Sequence, residues 1–276
     1  MQPRLYCIAA SNAPIVAVLR RGPTAWAHVG RWELDPPAYV PGSWLHATLY
    51  PQRCDLSADG RWLAYFALDA SARWAPGDTY VALSRLPWVT ALAAWGTHGT
   101  WSRGVHFVDD VMVQEVSPPD VGGVDIPVLR QGIAVTHPAS FAVERRRGWT
   151  ESSDTPRRSP HDMWDEGRGA TITMTKPQPG NGQRPTLVTY GRFAATRSGA
   201  TRDATYAIQD TGAVVPLLGV QWADWAADGS LLVATWDGWL HIRSYDGGAT
   251  AIQWQFNVGA LEPDPQPSPP VAHGWR

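Results

Sequence analysis

Short runs in which apolar and polar residues alternate recur along almost the whole chain, separated by glycine, proline and aspartate. WLAYFAL (62–68), TYVALSRL (79–86), GVHFV (104–108), VMVQEV (111–116), ATITMT (170–175), TLVTYGRF (186–193), ATYAIQD (204–210), SLLVATW (230–236) and WLHIRSY (239–245) each predict a strand, being rich in β-branched and aromatic residues. ADG, WDG and YDGG between several of them predict hairpin turns. No window of a dozen residues keeps apolar positions at i, i+3, i+4 and i+7 without a breaker, so the pattern predicts an all-β protein. Residues 5–19 predict two strands about a turn at SNAP, because Ser11, Asn12 and Pro14 interrupt what a signal sequence would keep continuous. No run reaches the ~18 apolar residues of a membrane span.

One phrase occurs twice. RCDLSADGRWLAYFAL (53–68) and WADWAADGSLLVATWD (222–237) both place an aspartate four residues before an Asp-Gly pair: Asp55 before Asp59-Gly60, and Asp224 before Asp228-Gly229. Glycine accepts positive φ in the turn, and the aspartate can bind its own backbone two residues on, so the phrase is a folding signal rather than a catalytic device. Glycines at or before strand starts fall at 22, 60, 104, 148, 191 and 229, at intervals of 38, 44, 44, 43 and 38 residues. Such intervals match four-stranded propeller blades of ~40 to 45 residues, and they predict a β-propeller of five or six blades, six being favoured.

At LSADGRWLAY (56–65) the chain resembles the WD40-like and TolB-like β-propeller repeats, which implies the same fold. RGPTAWAHVGRWEL (21–34), QRCDLSADG (52–60), ALSRLPWVTALAAW (82–95), RRRGW (145–149) and WADWAADGSLLVA (222–234) together resemble a family of bacterial proteins of this length, over residues 5–245. That resemblance implies a propeller and carries no activity. The paired GH and WD signature of WD40 blades is missing, since Trp236-Asp237 sits in a turn before Gly238.

Two segments stand outside the strand pattern. Residues 261–276 carry prolines at 263, 265, 267, 269 and 270 and cannot join a ladder, so the expected organisation is a propeller domain over 1–260 and a proline-rich tail that wraps or dangles. Residues 150–169 form the longest stretch without a strand signal, a length at which loops are often functional.

Composition narrows the function. Charged residues are 17% and the formal net charge is -2, so no broad basic field exists to hold a nucleic acid, and neither nucleic acid nor membrane is an expected partner. Of the 23 basic residues only Lys176 is a lysine. Cys7 and Cys54 fit neither a disulfide framework nor a zinc motif, and a reducing, cytoplasmic location is the simpler expectation.

The 16 tryptophans are the outstanding candidates for chemistry. Most are expected to fill the wedge between neighbouring sheets, but Trp222, Trp225, Trp236 and Trp239 crowd one Asp-Gly turn and cannot all be buried against one face. SPHDMWDE (159–166) groups His161, Asp162, Trp164, Asp165 and Glu166; it lacks the glycines of a calcium loop and the i, i+4 histidines of a zincin, so a solvated loop without metal is expected. ERRRGW (144–149), with Arg157 and Arg158, could meet a phosphate or acidic peptide, though a charged sheet edge is the favoured reading. A triad can be assembled on paper from His106 and Asp109 or Asp110, yet no G-x-S-x-G elbow exposes a nucleophile.

The expectation is therefore a propeller scaffold without catalysis, cofactor or metal, mediating protein–protein interaction within a bacterial assembly. Trp225, Trp236, Trp239, Arg157, Arg158, His161, Asp162 and Trp164 are its expected binding residues. A small-molecule or glycan-binding propeller using the tryptophans is the alternative, and a hydrolase or lyase at a channel mouth is the third reading.

Overall fold

A computed structural model describes residues 2–22, 24–71, 77–97, 99–101, 104–108, 111–115, 127, 133–136, 142–152, 171–180, 185–196, 199–246 and 248–275. The chain divides into two compact units, one of residues 1–143 with 260–276 and one of residues 144–259.

The first unit opens with a four-stranded antiparallel meander, β1 (Arg4–Ala9), β2 (Ile15–Arg21), β3 (Ala27–Leu34) and β4 (Pro37–Leu45). The expected turn at SNAP is present: the Ala10 N–H closes it on the Ile15 carbonyl at 2.8 Å. In the second sheet β5 (Thr48–Leu49) and β6 (Asp55–Leu56) both pair with β7 (Trp62–Leu68), which continues into β8 (Thr79–Arg85) and β9 (Ala91–Gly96). The third contains β10 (Val105–Val108), β11 (Val111–Glu115) and β12 (Ile133–Thr136), with β12 parallel to β11.

β7 explains how these sheets stack. Successive side chains of a strand point to opposite faces. Leu63, Tyr65 and Ala67 pack with Ile8, Leu19 and Val29 of the first sheet, whereas Trp62, Ala64 and Phe66 pack with Val105 and Phe107 of the third. A strand buried on both faces needs an unbroken apolar run, which is what WLAYFAL supplies.

α1 (Ala142–Arg146) crosses the unit boundary, and in the second unit β13 (Thr150–Glu151), β14 (Thr171–Pro177), β15 (Thr186–Thr196), β16 (Gly199–Asp210) and β17 (Ala213–Pro216) form an antiparallel sheet in chain order. A last antiparallel meander holds β18 (Val220–Trp225), β19 (Leu231–Thr235), β20 (Trp239–Asp246) and β21 (Ala249–Asn257). The protein is all-β. α1 corrects the reading of ERRRGW as a strand edge: Glu144–Arg146 are helical, the turn closes through the Gly148 N–H on the Arg145 carbonyl, and Gly148 has φ of 84°.

The repeated phrase does what its residues dictate. Gly60 and Gly229 have φ of 72° and 87°, and their N–H groups close turns on the carbonyls of Ser57 and Ala226. Asp59 Oδ1 accepts the Arg61 N–H at 3.1 Å and Asp228 Oδ1 accepts the Ser230 N–H at 2.9 Å, two residues on in both copies. Gly22, Gly104 and Gly148 share the left-handed conformation. Gly191 does not open a strand, because it lies within β15 opposite Ile172 and Ala204.

The upstream aspartates tie sheets together. Asp55, fully buried, accepts the Leu56 N–H on Oδ1 and the Phe107 N–H on Oδ2, each at 2.8 Å, joining the second sheet to β10. Asp224 accepts the Trp225 N–H at 2.8 Å and the Lys176 ammonium at 2.5 Å, joining β18 to β14.

Beyond residue 260 the proline-rich tail wraps the first unit. The Arg20 guanidinium donates to the Leu261 carbonyl at 2.7 Å, Ala272 is fully buried in a 3-10 turn at Pro270–His273, and the Trp275 ring lies 5.5 Å from that of Trp62.

Candidate binding surfaces

The tryptophan cluster separates into buried and exposed members. Trp222 and Trp225 lie in β18, a strand, rather than around the turn. Trp225 corrects the expectation of a surface platform: it is buried, its indole N–H donates to the Lys176 carbonyl at 3.1 Å, and its ring meets Tyr245 edge-on at 6.1 Å. Its place is between β14 and β18, where an indole fills the gap and its polar atom still finds an acceptor.

Trp236 and Trp239 flank the Asp237-Gly238 turn. The Thr235 hydroxyl donates to Asp237 Oδ1 at 2.5 Å and accepts the Trp239 N–H at 3.0 Å, which fixes the turn from inside. Trp236 projects from this corner, 42% exposed, while its backbone N–H reaches the Gly219 carbonyl at 2.9 Å. That bond brings the corner beside Leu218, 89% exposed, at the end of a strand whose Val214 and Val215 are also exposed. Leu218, Val214 and Val215 were not singled out from the sequence. AVVPLLG reads there as ordinary strand and turn, and only the position of β17 at the edge of its sheet leaves it uncovered.

A second arrangement lies along β20, where Trp239, His241, Arg243 and Tyr245 alternate and so share one face. Arg243 Nη2 donates to His241 Nδ1 at 2.7 Å, and the Trp239 ring lies 6.2 Å from the imidazole. Burial and the neighbouring guanidinium hold the imidazole below its ordinary range, so it is neutral, with the proton on Nε2.

In the first unit arginines stack on aromatic rings. Arg61 and Arg85 each lie 5.8 Å from the Trp62 ring, and Arg53 lies 4.7 Å from Tyr50. Cys7 and Cys54 are free and buried, and burial raises both thiols, Cys54 to about 12, which leaves them unreactive. His106 is buried in β10.

Arg157, Arg158, His161, Asp162 and Trp164, with Asp165 and Glu166, lie outside the described residues, as do Asp109 and Asp110. Among the described residues no three His, Cys, Asp or Glu side chains gather in a way that could hold a metal ion, and no helix is long and apolar enough to cross a membrane. No protein-family model matches the sequence, and no curated protein matches it.

Proposed function

We propose that the chain is a non-catalytic β-propeller scaffold that holds another protein, its five sheets serving as blades and the corner formed by Leu218 and Trp236 as the docking point. Each sheet is built from strands close together in the chain, and β7 packs one face on the sheet before it and one on the sheet after, as a blade does. The observation that carries the binding role is the exposed pair Leu218 and Trp236, brought side by side by the Trp236 N–H bond to the Gly219 carbonyl next to the exposed edge strand β17. Large apolar side chains gathered on a surface are recognition features more often than chance exposures, and tryptophan is prominent among residues that dominate interface energies.

The test is copurification of the tagged protein from its native cells, in wild-type form and as the L218A/W236A double variant. The expected result is a partner that coelutes with the wild type and is lost from the variant, while the unfolding midpoint stays within about a degree, because neither side chain supports the core. A partner retained by the variant overturns the docking point, and the absence of any coeluting protein overturns the scaffold role. An experimental structure in which the five sheets do not close around one axis overturns the propeller.

A further inference from the structure

Among the described residues no carboxylate pairs with Arg243. Its Nε is buried and meets no hydrogen-bond partner there, and its Nη2 donates to the neutral His241. The carboxylates nearest this row are bonded to hydroxyls, Asp210 Oδ2 to that of Tyr245 at 2.8 Å and Asp237 Oδ1 to that of Thr235, and among the described residues neither pairs with Arg243. Burial alone lowers the guanidinium, with no acidic neighbour acting against it. A buried donor left unmade costs about 1 to 3 kcal/mol, and more when it is charged. Arginine is also the side chain whose planar fork matches an oxyanion with two parallel bonds.

The surroundings extend the match. His241 accepts from Arg243 on Nδ1, so its Nε2–H is a second donor in the same row. Gln255 lies opposite His241 on β21 and is exposed, adding amide donors at the sheet edge. Trp239, half-buried two residues before His241, supplies an apolar ring next to the donors. We infer that the face of β20 carrying Trp239, His241 and Arg243 is a binding site for a small oxyanion, a carboxylate or phosphate held by Arg243 and His241 with its organic body against Trp239. This site does not depend on the apolar corner at Leu218 and Trp236, so either can fail alone.

The experiment follows the arginine Nε–H resonances of the full chain by heteronuclear NMR, with the Arg243 signal identified as the one missing from R243K. Sodium phosphate and sodium acetate are titrated against sodium chloride at equal ionic strength. The expected result is a saturable downfield shift of the Arg243 Nε–H with one or both oxyanions and none with chloride; which of the two saturates at lower concentration assigns the phosphate or carboxylate source. The unfolding midpoint of the wild type rises with the same anion, and R243K or H241N weakens that anion's apparent affinity at least tenfold. An Arg243 signal that does not move, or that moves equally with chloride, overturns the site, and so does undiminished affinity in R243K. Should R243K not fold, an unfolding midpoint of the wild type that is the same in oxyanion and in chloride overturns it by itself.

Discussion

Asp55 and Asp224 occupy the same place in the repeated phrase, yet they are satisfied by different partners. Asp55 accepts two backbone N–H groups, so D55A removes a buried acceptor that ties two sheets and is expected to destabilise the protein by about 2 to 4 kcal/mol in chemical denaturation. D59A, at an exposed turn with an Arg61 partner in solvent, is expected to cost no more than about 1 kcal/mol. Asp224 faces the Lys176 ammonium across two strands, and D224A, which strands that cation, is expected to cost about 3 to 5 kcal/mol; replacing both partners by K176M/D224L is expected to cost less than the single change. The aspartates were legible as folding residues from their spacing, whereas their second partners, Phe107 and Lys176, were not. Those partners lie 52 and 48 residues away, and no local pattern encodes a pairing at that range.

His28 carries a pH dependence of its own. It is buried opposite Arg20 across β2 and β3, with the Tyr39 hydroxyl 3.3 Å from Nδ1, and burial together with Arg20 pulls its imidazole from 6.5 down to about 4. The unfolded chain therefore binds a proton between those values that the folded chain refuses. Stability is full above pH 6.5 and falls as the pH drops towards 4, by up to about 3 kcal/mol from this group. Urea denaturation at pH 7.5 and 4.5 measures the difference, and H28Q is expected to shrink it. His241, lowered in the same direction, keeps part of the slope, so an unchanged slope in H28Q contradicts the assignment.

At the scale of elements, the turns discriminate between glycines of similar conformation. Gly22 has φ of 68° and open space where a Cβ would stand, so G22A bears backbone strain alone, about 1 kcal/mol. A Cβ on Gly104, φ 100°, would lie 2.4 Å from the Arg53 carbonyl oxygen, a backbone atom that cannot swing away. G104A is expected to cost at least about 2 kcal/mol more than G22A by thermal unfolding at equal pH. Strands with a strong β-branched or aromatic alternation were readable almost to the residue: WLAYFAL is β7, and WLHIRSY is β20 less its last residue. β18 and β21 were not, for opposite reasons. VQWADW carries an aspartate and two tryptophans that suggest a turn, and the Lys176 ion pair with the Trp225 N–H lets Asp224 sit in a buried strand. ATAIQWQFN is largely exposed on an edge, so burial imposes little pattern on it. The parallel pairing of β12 with β11 was likewise hidden, because it depends on a crossover rather than a hairpin.

For the whole molecule, the all-β class followed from the absence of helical periodicity, whereas the glycine intervals did not mark every sheet, since Gly191 lies within β15. The fate of the tail did not: proline content says that a segment stays out of ladders, not what it covers. Here it belongs to the first unit, and truncation after residue 260 is expected to expose Trp62 and lower stability by at least about 2 kcal/mol, seen as a lower unfolding midpoint and a red-shifted tryptophan emission. The proposed docking corner was only half legible. Clustering marked Trp236, but exposure distinguishes it from Trp225, and exposure is a property of sheet packing rather than of spacing.

The discontinuity of the first unit bears on how the chain is made. A ribosome delivers residues 144–259 before it delivers 260–276, so the second unit is complete in sequence while the first still lacks the segment that supplies Ala272 and Trp275. Nascent-chain proteolysis should therefore find residues 144–259 protected first, with protection of the earlier half arriving only once residues 260–276 have left the ribosome.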